Sequence, residues 1–422
     1  MFTLLNLQSV LGLLVIVAAC WGLSENRKAF PWRLALGAIA VQIALLLLLF
    51  KVPGAQGLQH AITGGVDALD QATQKGTEFI FGYLVGTVEQ PYVTTQSDIF
   101  VFAFRVLPLI LVISALSALL WHWKILKWIT YGFGFLFQRT MGLGGASALA
   151  VAANIFLGMI ESPIVIRAYL DKLTRSELFL MMVVGLATVA GSTMVAYVSI
   201  LGATLSNAAG HVLLASILSA PAGVLLARII IPEKPGEGGA VADYNSPLKY
   251  DSAIDAIVKG TSDGLMVVLN ISAVLIVFVA LVALVNLMVG AVFGPSITIE
   301  WLLSWIFAPV AWLMGVSWAD AREAGELLGV KLTQTEFKAF IELGQVAPNA
   351  ISERTRMLLT YALCGFANIG SVGITVTGLS VLMPERREEV LGLVWKALFA
   401  GFLATLMTAC IVGAMPASVF GQ

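Results

Sequence analysis

A single carboxylate, Glu161, lies deep inside a long apolar stretch and is followed two residues later by Pro163. Asn154 and Gly158 precede it, and no other charge occurs back to Arg139. An ionised group at membrane depth costs about 3 kcal/mol or more, so it normally faces the protein interior or a watery cavity. Glycine and proline interrupt membrane helices. This pattern is typical of a half-span with a polar tip, as found at substrate sites of secondary transporters.

Two further polar clusters occur in the second half of the chain. Glu336 lies in the run from Gly329 to Phe340, and Asn368 and Ser371 lie three residues apart in the next apolar segment. That spacing places the amide and the hydroxyl on one helix face, or on either side of an unwinding at Gly370. Carboxylates accept hydrogen bonds from hydroxyls, and amides both donate and accept. The set suits a small ligand rich in OH and NH groups, such as a sugar ring carrying a base.

The composition predicts an α-helical membrane protein. The 422 residues are 59% hydrophobic and only 12% charged, with a mean hydropathy of +0.92, whereas soluble domains average about 25% charged residues. The net charge of −1 argues against a nucleic-acid surface. Cys20, Cys364 and Cys410 lie far apart in apolar runs, which is typical of buried structural cysteines. The sequence contains no P-loop, nucleophile elbow or His/Cys cluster, so we predict that it is not an enzyme.

Apolar runs of about 17–25 residues mark candidate membrane spans. Eight are predicted, near 4–23, 32–50, 99–121, 178–202, 208–231, 265–291, 355–380 and 390–416. The stretches 140–170 and 302–345 carry carboxylates in their interiors, and we interpret them as re-entrant hairpins. Residues 54–80 are predicted to form a helix near the outer surface, and residues 247–263 are predicted to form a surface-lying helix. The fold class is therefore an all-α polytopic membrane protein with eight transmembrane helices and two hairpins.

Charge distribution predicts the orientation of these spans. Sixteen of the 24 Lys and Arg residues lie in the segments 24–33, 122–139, 167–175, 228–259 and 386–396. Because basic residues accumulate on the cytoplasmic side, this split favours both termini outside. Each half of the chain has one hairpin followed by two spans, and Ala153-Asn154-Ile155 is echoed by Ala367-Asn368-Ile369. We interpret this as an inverted-topology repeat with oppositely oriented hairpins.

Three motifs resemble one known family. The run GVKLTQTEFKAF from Gly329 to Phe340 is similar to the signature G-x-K-x3-N-E-F-V-A-Y of the concentrative nucleoside transporters, with Thr335 in place of Asn and Lys338 in place of Val. The run from Leu363 to Ser371 resembles the A-L-C-G-F-A-N-x-x-S stretch of that family. The run from Gly158 to Pro163 resembles its G-Q-T-E-A/S-P element. The order of the motifs and the hairpins agrees over nearly the whole chain.

The resemblance implies roles for individual residues. Glu161 would hold the base side of a nucleoside, whereas Glu336, Asn368 and Ser371 would hold ribose hydroxyls. It further assigns to the substrate site five residues: Gly158, Met159, Ile160, Thr193 and Phe366. For a sodium ion it implies the side chains of Asn154 and Thr188 and the backbone carbonyls of Leu157 and Val189. Met159 and Ile160 replace the family's Gln and Thr beside the glutamate, which changes the expected base contacts.

The resemblance also implies an assembly and a mechanism. We expect a homotrimer in the inner membrane of a bacterium, with scaffold and transport domains in each protomer. The scaffold would comprise 1–135 and 232–301, and the transport domain 136–231 and 302–422. The expected function is cation-coupled nucleoside import, with sodium as the coupling ion and no other cofactor. Proton coupling through Glu161 or Glu336 is the alternative, and a membrane enzyme or a channel is the remote one.

Overall fold

The computed structural model describes residues 3–51, 55–85, 101–159, 161–202, 204–234, 249–294, 296–347 and 349–420, and these are helical with no strand among them. The first six α-helices are α1 Leu4–Gly22, α2 Trp32–Lys51, α3 Ala55–Phe81, α4 Phe102–Arg105, α5 Leu107–His122 and α6 Ile125–Met141. The next six are α7 Gly145–Asn154, α8 Glu161–Val165, α9 Arg175–Ala187, α10 Gly191–Leu201, α11 Ala208–Ile230 and α12 Ala253–Phe293. The last six are α13 Ile299–Leu313, α14 Ala321–Thr333, α15 Glu336–Gln345, α16 Glu353–Leu363, α17 Ile369–Leu382 and α18 Arg387–Ala414. Short 3₁₀ segments span Gly82–Val85, Arg167–Lys172, Pro384–Arg386 and Ala417–Val419.

Within the described ranges, seven helical segments are long and apolar enough to cross a membrane. They are Leu4–Gly22, Trp32–Lys51, Phe102–His122, Arg175–Leu201, Ala208–Ile230, Ala253–Phe293 and Pro384–Ala414. The predicted span at 355–380 is absent from this set because it is divided between α16 and α17, of 11 and 14 residues. The total of eight spans therefore stays a prediction. The predicted helix at 54–80 is confirmed as α3.

Two predicted spans are broken rather than continuous. The run 178–202 divides into α9 and α10 around an extended segment at Thr188–Ala190, and 355–380 divides around Cys364–Asn368. The second break lies before Gly370, so the sequence-based alternative of an unwinding at Gly370 is wrong: that glycine is inside α17. The two breaks meet, because the Phe366 backbone N–H donates to the carbonyl of Thr188 at 3.3 Å. This crossing requires a glycine at Gly365, where a Cβ would lie 2.7 Å from the carbonyl oxygen of Ala187.

The predicted first hairpin, 140–170, is built from α7 and the short α8. Glu161 is the first residue of α8, and Pro163 falls in its first turn, where a backbone N–H has no intrahelical partner. The Ser162 hydroxyl donates to the carbonyl of Ala150 at 2.9 Å and so ties α8 back to α7. At the other end of α7, the Ser147 hydroxyl donates to the buried Glu177 of α9 at 2.7 Å.

The predicted second hairpin, 302–345, contains three helices. Helices α13 and α14 run in opposite directions in close contact, because Gly325 lies against Ser304 and Ala308 while Gly329 lies against Leu303. The chain then turns at Gln334–Thr335 and returns as α15. The Thr335 hydroxyl caps α15 by accepting from the backbone N–H of Lys338 at 3.1 Å. The returning pair that bears Glu336 is therefore α14 and α15, and α13 is an additional helix.

Helix α12 corrects another expectation. The surface-lying helix predicted at 247–263 is not separate, because the same helix continues from Ala253 to Phe293 over 41 residues. At 1.5 Å per residue this is about 60 Å, roughly twice the thickness of the hydrocarbon core. Gly260 and Gly264 allow α12 to approach α5 closely at Ser114. Helix α12 also supplies one wall of the central cleft.

Candidate substrate and cation site

A cleft opens where the two returning helix pairs meet the two helix breaks and α12. It encloses about 850 Å³ of empty space, part of it open to solvent, which is within the usual range for small-molecule sites. Its lining includes eight of the nine residues that the sequence assigned to the substrate: Gly158, Met159, Glu161, Thr193, Glu336, Phe366, Asn368 and Ser371. The ninth, Ile160, lies outside the described residues. The structure thus brings together side chains more than 200 residues apart in sequence.

Glu336 is the centre of a buried hydrogen-bond network. Its Oε2 accepts from Asn368 Nδ2 at 2.7 Å, and its Oε1 accepts from Tyr197 Oη at 3.1 Å. Asn368 is oriented in turn, because its Oδ1 caps α17 by accepting from the backbone N–H of Ser371 at 2.8 Å. A carboxylate has about four acceptor positions, and these two donors leave capacity for ligand hydroxyls.

Glu161 lies at the other end of the polar set. Its Oε2 accepts from the backbone N–H of Gly158 at 2.7 Å, which fixes the side chain over the turn between α7 and α8. Its second oxygen can accept from a ligand. Because Glu161 is only partly buried and lines the cleft, it is available to an NH or OH group of a bound molecule.

Between these polar groups the cleft has an apolar wall. Its members are Met159, Val267, Ile271, Val274, Phe366 and Ile374. The Met159 sulfur accepts a weak hydrogen bond from Thr375 Oγ1 at 3.5 Å, which holds the thioether beside Glu161. A wall of this kind packs against a flat ring, and the polar groups at its edges orient the ring.

The residues predicted to bind sodium fit a small cation. Asn154 is 1% exposed, and neither its Oδ1 nor its Nδ2 has a hydrogen-bond partner among the described residues. A buried amide without partners costs about 1–3 kcal/mol, which an oxygen-seeking cation would offset. The Oδ1 points toward Gly185 of α9, one turn before Thr188. Thr188 is also buried, and its Oγ1 donates to the carbonyl of Val184, which leaves lone pairs free.

The two backbone carbonyls predicted to bind sodium, those of Leu157 and Val189, belong to the same region. Ser216 of α11 holds the first break in place, since its hydroxyl lies 3.3 Å from the carbonyl oxygen of Val189 and 3.4 Å from the Val189 N–H. The carbonyl of Phe156, next to Leu157, accepts from the N–H of Gly191 at 2.9 Å. The turn after α7 and the break after α9 are therefore tied together, as a shared cation site requires.

Several residues in or beside the cleft escaped the sequence analysis. Tyr197 donates to Glu336, and Asn270 and Ser192 line the cleft. Asn270 carried a usable signal, because it is a polar residue within the apolar run 265–291. Tyr197 gave no such signal, since a phenol is common in membrane helices.

Comparisons with known proteins agree with this geometry. Three family models match: "Na+ dependent nucleoside transporter N-terminus" over residues 11–84, "Nucleoside recognition" over 103–204 and "Na+ dependent nucleoside transporter C-terminus" over 211–413. The chain is 34% identical to the nucleoside permease NupC of Helicobacter pylori over 97% of both chains. It is 33% identical to the sodium/nucleoside cotransporter 1 of Rattus norvegicus, over 97% of this chain and 63% of that protein.

A solved structure is similar over the full length. The structure of CNTnw in an inward-facing substrate-bound state superposes with a TM-score of 0.90 at 35% identity, covering 99% of this chain and 98% of that one. Sequence, motifs and fold agree, and the chain belongs to the concentrative nucleoside transporter family, whose members are membrane transporters and not enzymes.

Proposed function

We propose that this protein is a cation-coupled symporter that imports nucleosides, with sodium as the coupling ion. The observation that carries the proposal is the cleft, in which Glu161 and Glu336 from two returning helix pairs flank one apolar wall. A nucleoside has the matching shape, with a polar-edged flat base at one end and ribose hydroxyls at the other. In this arrangement Glu336, Asn368 and Ser371 hold the ribose, and Glu161 with Met159 faces the base.

Sodium binding would organise the first returning pair before the nucleoside enters. The unpartnered amide of Asn154 supports this step, because Asn154 ends α7 directly before the turn that leads to Gly158 and Glu161. Bound sodium engages the Asn154 amide oxygen and fixes the turn, so the nucleoside binds well only when the ion is present. One charge crossing 100 mV contributes about 2.3 kcal/mol. A tenfold sodium gradient adds about 1.4 kcal/mol. The sum, about 3.7 kcal/mol, supports roughly a 500-fold accumulation of nucleoside.

We further propose an elevator-type movement within a homotrimer in a bacterial inner membrane, with both termini periplasmic. Helices α5 and α12 would belong to the fixed scaffold, and the helices that bear Glu161, Glu336 and Asn368 would move. Residues 1–135 were predicted to belong to the scaffold, but the contacts of α1 favour the transport domain. Ser9 of α1 donates to the carbonyl of Met314 at 2.7 Å, and Gly413 of α18 lies against the same serine. So close an interface argues that α1 travels with the moving body.

Uptake of radiolabelled uridine and adenosine into proteoliposomes tests the proposal. We expect concentrative uptake when an inward sodium gradient is imposed, and little uptake when choline replaces sodium. Uptake in sodium-free buffer that follows an imposed pH gradient would instead establish proton coupling. A rate that does not saturate with nucleoside would indicate a channel.

A further inference from the structure

Asn270 of α12 is a polar side chain of the cleft that the proposed nucleoside and sodium sites leave unused. It lies inside the apolar run 265–291, where a polar group is costly unless it faces a partner or a watery cavity. The side chain is accessible and lines the cleft, and it makes no hydrogen bond within the described part of the chain. Its amide is therefore available to a bound molecule.

The position of Asn270 on α12 directs it into the cleft. Val267, Asn270, Ile271 and Val274 follow the i, i+3, i+4, i+7 pattern of one helix face, and all four line the cleft. Exposed apolar residues of α12 outside this pattern, such as Leu269, do not line it. Asn270 thus places a hydrogen-bonding group on a cleft-facing surface whose other three members are apolar.

The contacts of α12 with α17 show where the ribose end of the cleft meets this helix. A Cβ at Gly370, next to Ser371, would lie 3.4 Å from Val274 and 3.3 Å from Phe278. The start of α17, which bears the proposed ribose ligands, therefore packs against α12 at these two residues. Asn270 precedes Val274 by four residues, which is about 6 Å along the helix axis.

The other direction along α12 leads toward Glu161. Asp263, seven residues before Asn270, acts electrostatically on Glu161. Asn270 lies between this point and the contact with α17, so it faces the middle of the cleft. A nucleoside whose ribose is held by Glu336 has its base in this part of the cleft, with one edge toward α12.

The second neutral amide of the cleft is already engaged. Asn368 donates to Glu336 at 2.7 Å, and its oxygen accepts from the backbone N–H of Ser371 at 2.8 Å. Met159 offers only a thioether beside Glu161. The amide of Asn270 both donates and accepts. By rotating about its last bond it can accept from an exocyclic amino group or donate to an exocyclic carbonyl of a base.

We propose that Asn270 is a specificity-determining residue that binds the exocyclic group of the nucleoside base, which is an amino group in adenosine and cytidine and a carbonyl in uridine. This inference deepens the proposed nucleoside transport and rests on it. Glu161 would bind the base from the turn between α7 and α8, and Asn270 would bind it from α12. The apolar residues between them pack against the ring.

Pairs of nucleosides that differ in this group alone test the proposal. Purine riboside lacks the amino group of adenosine, and pyrimidin-2-one riboside lacks the amino group of cytidine. Their affinities are measured by isothermal titration of purified protein in saturating sodium. Asn270→Leu removes the amide at similar volume. Ser272→Ala is the matched control, because Ser272 lies on the same helix, donates to the carbonyl of Val268 at 2.8 Å and does not line the cleft.

We expect wild type and Ser272→Ala to bind adenosine and cytidine about fivefold more tightly than the matching analogues, as one neutral hydrogen bond implies. Asn270→Leu should bind both members of each pair with equal affinity. A leucine variant that keeps the wild-type ratio would overturn the inference, because a structural or ribose-binding role weakens both members alike. A wild type that binds the members of each pair equally would also overturn it.

The outcome stays decisive in two further cases. Leucine suits an apolar membrane helix, so Asn270→Leu is expected to fold. Should it not, Asn270→Ala is measured in the same way, with the same ratios deciding. A wild type that binds none of the four nucleosides would overturn the proposed function together with this inference, whereas nucleoside binding with an unchanged ratio in the variants overturns the inference alone.

Discussion

Replacing Glu336 with glutamine should abolish high-affinity nucleoside binding. In the structure its Oε2 and Oε1 accept from Asn368 and Tyr197 at 2.7 and 3.1 Å, and Glu336 lines the cleft, so its remaining acceptor positions are available to a ligand. Hydrogen bonds to a charged group contribute about 1.5–3 kcal/mol each. Two hydroxyls held by the carboxylate would therefore contribute at least about 3 kcal/mol, and their loss corresponds to roughly a 150-fold weaker affinity.

The assay is isothermal titration of purified protein with uridine and adenosine in saturating sodium. Glu342→Gln is the matched control, because Glu342 lies on the same helix α15 and pairs with Lys338 at 2.6 Å, partly exposed to solvent. Such a pair contributes at most about 1 kcal/mol to stability. Neither Lys338 nor Glu342 lines the cleft, so Glu342→Gln should leave nucleoside binding unchanged. A folded Glu336→Gln that binds within threefold of Glu342→Gln would refute the assignment of Glu336 to the substrate.

Three further predictions concern the cation, the base and the fold. Asn154→Ala should raise the sodium concentration for half-maximal uptake at least about tenfold, as loss of one ligand implies, and an unchanged sodium curve would remove Asn154 from the cation site. Met159→Gln combined with Ile160→Thr should change the ranking of purine and pyrimidine nucleosides in competition uptake; if the ranking is the same, these positions lie away from the base. Gly365→Ala should lower stability by about 1–3 kcal/mol through overpacking, seen as a lower Tm. Gly373→Ala, where a Cβ meets nothing within 4 Å inside α17, should leave Tm unaltered or raise it slightly, because alanine favours a helix interior.

The polar residues of the cleft could be predicted from the sequence because each one stands out against its apolar surroundings or lies in a recognisable motif. Glu161 is isolated in an apolar run, and Glu336 and Asn368 lie in motifs that a family resemblance can place. Their convergence in one cleft was expected from the family resemblance, which assigns all three residues to one nucleoside. Composition alone was sufficient for the all-helical membrane class.

The helix breaks and α12 could not be predicted in the same way. The run 178–202 is apolar throughout, and its interruption at Thr188 depends on a contact with Phe366, almost 180 residues later. The change from charged to apolar residues near 263 suggested two separate helices. The structure instead has one continuous helix, in which Gly260 and Gly264 pack against α5. Such tertiary contacts leave no local pattern.

The most direct test of the account is whether sodium and nucleoside bind cooperatively to the purified protein. Linkage requires that each ligand raise the affinity of the other by the same factor. Titrations of nucleoside with and without sodium, and of sodium with and without nucleoside, should yield one common factor of about ten or more, the range of typical coupling free energies. Equal nucleoside affinity in sodium and in choline would contradict the account.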